Sequence, residues 1–165
     1  QYGESVAGMP YSEALKLLSI YTTGSLAGVF CSSLALRTFL SPQMMLLGCT
    51  TVSTLALAVA CFFPSPTVMF GFSFIFGFAA AGGVVQLGLA MMASQFPRAR
   101  GRATGIYYSA GSISNFTMPL ITAWIVREWS IHEIFKFDVI ISGCGILLAV
   151  FIAWRSRHAQ AIDLN

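Results

Sequence analysis

Residues 96–105 read FPRARGRATG. Arg98, Arg100 and Arg102 crowd together here, in a chain that is only 9% charged and 56% hydrophobic. Long apolar runs lie on both sides of the cluster. A chain that spares its charge everywhere else and concentrates it between two apolar stretches has the pattern of a loop between membrane spans.

The composition agrees. Soluble domains carry about 25% charged residues. A soluble fold of 165 residues could not cover this much apolar surface, because its exterior must meet water. Lipid is therefore the expected surroundings. Nucleic acid is not an expected partner, since no basic stripe lies on a soluble face. The first residue is Gln1, and the opening QYGESVAGMP lacks the basic start and apolar centre of a signal peptide. The chain is expected to be a piece of a longer or processed protein. Cys31, Cys49, Cys61 and Cys144 fall inside apolar runs and far apart, so they are expected as small buried residues. His132 and His158 have no ligand cluster near them in sequence. No metal or cofactor is expected.

A spanning helix needs about 20 mostly apolar residues, because the hydrocarbon layer is about 30 Å thick and each residue rises about 1.5 Å. Five stretches qualify, at about 13–36, 43–63, 67–95, 104–126 and 134–154. None alternates like a membrane barrel strand. The expected fold is all-α: one membrane domain over residues 1–165, a polytopic helix bundle with five transmembrane helices. Ser41-Pro42, Pro64-Ser65-Pro66 and Phe96-Pro97 supply the breaks, and 129–138 reads as a polar connection.

Sidedness follows from the flanks. One side receives Arg37, Arg98, Arg100, Arg102, Arg155 and Arg157, with Asp163 as its acid. The other receives Lys16, Arg127 and Lys136, together with Glu4, Glu13, Glu128, Glu133 and Asp138. Excess Lys and Arg in short loops marks the cytoplasm. The fragment is expected to start outside and end inside, with Arg98, Arg100 and Arg102 in a cytoplasmic loop. There they act as topology anchors and meet anionic headgroups.

Within the spans, polar and small residues carry the information. Gly24 and Gly28 form a GxxxG pair, which favours close helix packing, and Tyr21 could face a cavity. The third span has a glycine-rich middle with Gly82 and Gly83 adjacent, expected to weaken the helix enough to bend. Gln86 is the amide well inside that span. A helix contact and a solute or water cavity would each satisfy it. In the fourth span Tyr108, Ser112, Asn115 and Pro119 follow steps of four, three and four, so they share a face. Pro119 breaks a backbone bond and is expected to kink the helix. This stripe fits a cavity wall, although Ser and Asn also hold helices together. The second span reads as a packing helix and the fifth as lipid-facing. No Asp, Glu or Arg lies near mid-membrane. No nucleophile with a base and no phosphate-binding loop appears, so an enzyme is not expected.

With the arginine loop, the spans and the polar stripe in place, the chain resembles the C-terminal half of a major facilitator superfamily transporter, covering helices eight to twelve of twelve. QYGESVAGMP resembles the outer loop after helix seven, and FPRARGRATG the loop between helices ten and eleven, with Gly105 opening the next helix. Gly82, Gly83, Gln86, Phe96, Pro97 and Arg102-Ala103-Thr104-Gly105 are similar to the aromatic-acid/proton symporter-like group, as is the outer stretch WSIHEIF. Ser114 stands near a position where that group commonly carries an Arg.

The resemblance implies a partial form of that superfamily's fold and alternating access between two bundles. It implies that Gln86 lines the cavity, that Tyr108, Ser112 and Asn115 flank it, and that Gly82, Gly83 and Pro119 allow bending. The implied partners are a small-molecule substrate, the lipid bilayer and a missing N-terminal helix bundle. The implied site is the plasma (inner) membrane, with the C-terminus cytoplasmic. The expected function is secondary active transport of a small organic solute, an organic acid with proton coupling among the options. An exporter of amphiphiles on the same fold and a non-transporting sensor or assembly subunit are the alternatives.

Overall fold

The computed structural model describes residue 4 and residues 7–38 and 41–162, without the side chains of residues 37, 38, 132 and 156–162. The sidedness argument on Arg37, Arg157 and Asp163, and the remarks on His132 and His158, concern side chains outside the described residues.

Among the described residues all regular structure is helical. The elements are α1 (Tyr11–Thr38), α2 (Pro42–Phe62), α3 (Pro66–Phe76), a π-helical segment (Gly77–Val84), α4 (Val85–Gln95), α5 (Arg100–Glu128) and α6 (Ile131–Ile162). The helices α2 and α3 start alike. Ser41 and Ser65 cap them, accepting from the Met44 and Val68 backbone N–H groups, and Pro42 and Pro66 take the first helical position. That pairing satisfies an orphan donor and places proline where its missing N–H costs nothing.

Four stretches are long and apolar enough to cross a membrane: Tyr11–Leu36, Pro42–Phe62, Pro66–Gln95 and Glu133–Arg155. The expected fourth span is not among them. Its helix is long enough, but the Tyr, Ser, Asn, Thr and Gly residues along it make α5 less apolar than the rest.

Two expected boundaries shift. First, α5 begins at Arg100, so Arg100 and Arg102 lie in the first helical turn and Arg98 alone stays in the connection. Arginine is a good helix former, and Ala103 N–H already closes a turn onto the Ala99 carbonyl at 3.0 Å. Second, the polar connection at 129–138 is mostly helix. Only Trp129 and Ser130 separate α5 from α6, with Glu133 in the first turn of α6 and paired to Lys136 at 2.6 Å. A carboxylate near a helix start and a Glu–Lys pair one turn apart both favour that conformation.

The span Pro66–Gln95 is the centre of the bundle. On one side it crosses α1 at backbone contact. A Cβ at Gly24 would collide with the Phe74 carbonyl, one at Gly28 with the Phe78 carbonyl, and one at Gly77 with the Tyr21 carbonyl. A Cβ at Gly82 would stand 2.7 Å from the Gly28 Cα. Lipid tails are as apolar as leucine, so helix association rests on close packing. These glycines supply it. Ser32 adds a buried hydrogen bond, its hydroxyl donating to the Gly82 carbonyl at 3.2 Å.

At this crossing the helix widens. The Val85 N–H donates to the Ala80 carbonyl, five residues back, instead of four. The glycine-rich run therefore appears as a π-helical segment rather than as a simple bend. Glycine weakens an α-helix by about 0.5–1 kcal/mol per residue relative to alanine, which lowers the cost of a wider turn where α1 presses in.

On the other side lies α2, where a Cβ at Gly83 would meet the Cys49 sulfur at 2.7 Å. Behind α2 packs α6. Thr54 and Ser142 share a hydrogen bond of 2.6 Å, and Gly145 receives the Thr50 methyl group. Ala149 and Ala153 are buried along α6. This helix is thus buried on one side and exposed on another, where Ile140, Leu147 and Leu148 lie. The cysteine expectation also needs correcting. Cys61 is buried and Cys49 half-buried, but Cys31 and Cys144 are exposed, because lipid does not penalise an outward thiol on an apolar face.

A separate apolar cluster closes one end of the bundle. Ala7, Met9, Ala60 and Met69 are buried there, with Leu17, Phe72, Ile131 and Phe135 around them. Gly8 takes a left-handed φ of 64°, open to glycine at little cost, and lets the chain turn between Ala7 and Met9.

Candidate functional site

The helix that carries the expected stripe, α5, stands apart from its neighbours. Only Ala103 and Ile125 along it are buried. Its main attachment is to α4. The Tyr107 hydroxyl donates to the Val85 carbonyl at 2.9 Å, and a Cβ at Gly88 would lie 2.9 Å from that same oxygen. Glycine at 88 therefore makes room for the phenol.

Beside this tie lies a groove of about 500 Å³, lined by Tyr107, Tyr108, Gly111, Ser112, Ser114 and Asn115 of α5, with Val85 opposite. It brings together Tyr108, Ser112 and Asn115 as their spacing predicts. All three are exposed, Tyr108 to 55%. None of their side chains makes a hydrogen bond among the described residues. Pro119 sits inside the helix and has no N–H, so the Asn115 carbonyl lacks its usual helical donor. One stretch of α5 thus offers a phenol, a hydroxyl, an amide and a freed carbonyl. These groups can hydrogen-bond a polar or carboxylated solute by donating and accepting.

The other expected residues fall elsewhere. Gln86 is half-buried next to Val85, also without a hydrogen bond among the described residues, but it is not in the groove wall. One residue along a helix is a turn of about 100°, which carries its side chain off Val85's face. Tyr21 is half-buried on α1, at the Gly77 crossing, and is also outside the wall. Gly24, Gly28 and Gly82 sit at the α1 crossing and Gly83 against α2, whereas Gly105 has open space around it.

The sequence places Tyr107 beside the stripe and Ser114 near the position of the resembled group's Arg, but assigns neither to the groove wall. Tyr107 had one available signal: a tyrosine inside an expected span needs a partner for its hydroxyl. The choice of partner was not local. Among the described residues no group of three His, Cys, Asp or Glu side chains could hold a metal ion.

Comparison with known proteins places the chain. The model of the Major Facilitator Superfamily matches residues 2–164. The inner membrane transport protein YdiM of Escherichia coli (strain K12) is 52% identical over 157 residues, covering 95% of this chain and 39% of the relative. The inner membrane transport protein YdiN of the same strain is 37% identical, covering 100% of this chain and 39% of the relative. The MFS-type transporter YfkL of Bacillus subtilis (strain 168) is 32% identical, covering 94% of this chain and 39% of the relative. The chain therefore spans about two fifths of the length of these relatives. No solved structure matches it.

Proposed function

The chain belongs to the Major Facilitator Superfamily, and on that premise we propose that it forms part of a secondary active transporter of a small organic solute working by alternating access. The observation that carries the proposal is the α5 groove: Tyr108, Ser112 and Asn115 present unpartnered polar groups on one wall of an otherwise apolar bundle. Polar groups without partners inside a membrane are costly, so they are retained where a cavity or a solute meets them. The relatives' names as inner membrane transport proteins support both the activity and the location.

In this proposal a second helix bundle of the same protein faces the groove. Rocking of the two bundles opens it to each side in turn. Gln86 joins the cavity during that motion, with the π-helical segment and Pro119 as the places that yield. The arginine-rich end faces the cytoplasm under the positive-inside rule. The solute we propose is an organic acid carried with protons. Its support is the likeness of Gly82, Gly83, Gln86 and Arg102–Gly105 to the aromatic-acid symporter-like group. A carboxylate would accept from Tyr108, Ser112 and the Asn115 amide. No acidic residue lies between Glu13 and Glu128 in sequence, so a coupling carboxylate would come from outside residues 14–127.

The test is uptake of radiolabelled benzoate into proteoliposomes holding the full-length protein, with an imposed proton gradient. Asn115→Leu and Ser112→Ala are expected to cut uptake about tenfold each, the loss of a hydrogen bond to a charged group being about 1.5–3 kcal/mol. Full uptake by both variants would remove the groove from the transport path. Benzoate uptake indifferent to the gradient would remove the coupling.

A further inference from the structure

The arginine cluster has a geometry that transport does not require. At the start of α5, at the far end from Trp129, a second groove of about 230 Å³ runs between α4 and α5. Met92, Phe96, Ala99, Ala103 and Ile106 line it, and its one charged lining residue is Arg102. The groove is open to the surroundings of the bundle: Phe96 is 48% and Ile106 64% exposed. Its floor is apolar, while Arg102 stands at the rim where α4 ends and α5 begins.

Among the described residues the charge at that rim is uncompensated. Arg98, Arg100 and Arg102 are all exposed, and none makes an ion pair or hydrogen bond among the described residues. No acidic residue lies between Glu13 and Glu128 in sequence, so neither α4 nor the first turns of α5 carries a carboxylate. The contrast with the seam between α2 and α3 is informative. That seam, lined by Val52, Leu55, Val59, Val68, Phe72 and Ile75, has no charged residue and so no means of choosing a headgroup.

We propose that the α4–α5 groove binds an anionic phospholipid. The phosphate lies on Arg102 with Arg98 and Arg100 around it, and an acyl chain follows Met92, Phe96 and Ile106 inward. Guanidinium groups suit phosphate because they present several N–H donors in a fixed plane. The apolar lining supplies the rest, by matching the chain rather than the headgroup. This goes beyond a general attraction to a charged surface, which needs no groove.

The experiment is native mass spectrometry of the full-length protein with equimolar dioleoyl phosphatidylglycerol and dioleoyl phosphatidylcholine. Each basic residue near the surface is worth roughly fivefold in association. Phosphatidylglycerol adducts should exceed phosphatidylcholine adducts by at least about tenfold on that basis. The triple variant Arg98→Gln, Arg100→Gln, Arg102→Gln should bring the ratio near parity, and Arg155→Gln at another helix end should leave it unchanged. Ile106→Ser should weaken binding of both lipids. A ratio near parity in the unaltered protein, or an unchanged ratio in the triple variant, overturns the site. A second measurement needs no variant: glycerol 3-phosphate and dihexanoyl phosphatidylglycerol are offered as competitors to the long-chain lipid. Both should compete poorly; if either displaces it at equal concentration, the groove plays no part and the proposal fails.

Discussion

The Tyr107 hydroxyl and the Val85 carbonyl, 2.9 Å apart, form a hydrogen bond that ties α5 to the rest of the bundle next to the groove wall. Val85 is the residue that closes the π-helical segment. The tie therefore joins the polar helix to the C-terminal end of the π-helical segment of the central span.

Removing that tie should loosen α5 with little change elsewhere. Tyr107→Phe keeps the ring and loses the hydrogen bond. Interhelical hydrogen bonds in membranes average about 0.6 kcal/mol, with values up to about 1.7. The full-length variant should unfold at a slightly lower denaturant concentration in mixed micelles. Hydrogen exchange should rise in 100–128 and stay unchanged in 42–62.

The glycine crossing should be far less forgiving. Gly28→Ala would drive a Cβ into the Phe78 carbonyl and Gly82→Ala would set one 2.7 Å from the Gly28 Cα. Both obstacles are backbone, so neither can swing aside. Each variant should separate α1 from the central span and lower the yield of folded protein. Gly48→Ala and Gly105→Ala meet nothing within 4 Å. They should be stabilising by up to about 1 kcal/mol through helix propensity. Size-exclusion profiles and thermal unfolding of the four variants check this.

The pairing of α2 with α6 can be measured directly. Thr54 and Ser142 share a 2.6 Å hydrogen bond across the two helices. A double-mutant cycle on Thr54→Val and Ser142→Ala should give a coupling of about 0.6 kcal/mol. Thr54 also donates to the Thr50 carbonyl of its own helix, which explains why the coupling should fall below that of an isolated hydroxyl pair.

Pro119→Ala should restore a donor for the Asn115 carbonyl. Proline costs about 3 kcal/mol in a helix interior, so α5 should become locally more stable. Amide exchange over 113–121 should slow at least tenfold. Where yielding at Pro119 is part of the transport cycle, uptake in the same variant should fall.

The direction of the chain can be read by labelling. Ala99→Cys, in a variant whose four native cysteines are replaced by Ser, places a thiol in the connection before α5. A membrane-impermeant maleimide should label it in inverted vesicles and not in intact cells. The opposite result would reverse the proposed orientation.

Much of this architecture was legible along the chain. Apolar length marked the helices, since a span must cross a fixed thickness of hydrocarbon and satisfy its own backbone. Ser41-Pro42 and Ser65-Pro66 marked two helix starts through chemistry confined to four residues. The steps from Tyr108 to Ser112 to Asn115 placed them on one face before any contact was known, because helical period is a local property. Polar residues counted for span length hid the lower hydropathy of α5, and the charges of 96–102 hid how early it begins.

What the sequence by itself determined was which segments are helical, which are apolar, and which side chains share a helix face, all set by neighbours within a turn or two. The tertiary structure alone decided which glycines meet another backbone, where the central span widens into a π turn, that Tyr107 rather than Gln86 joins α4 to α5, and that Arg102 stands at the rim of a groove. Those facts depend on contacts between residues far apart in the chain, such as Gly28 with Gly82 and Ser32 with the Gly82 carbonyl. Packing in lipid selects such contacts by the fit of two surfaces, and a single helix carries only one of them.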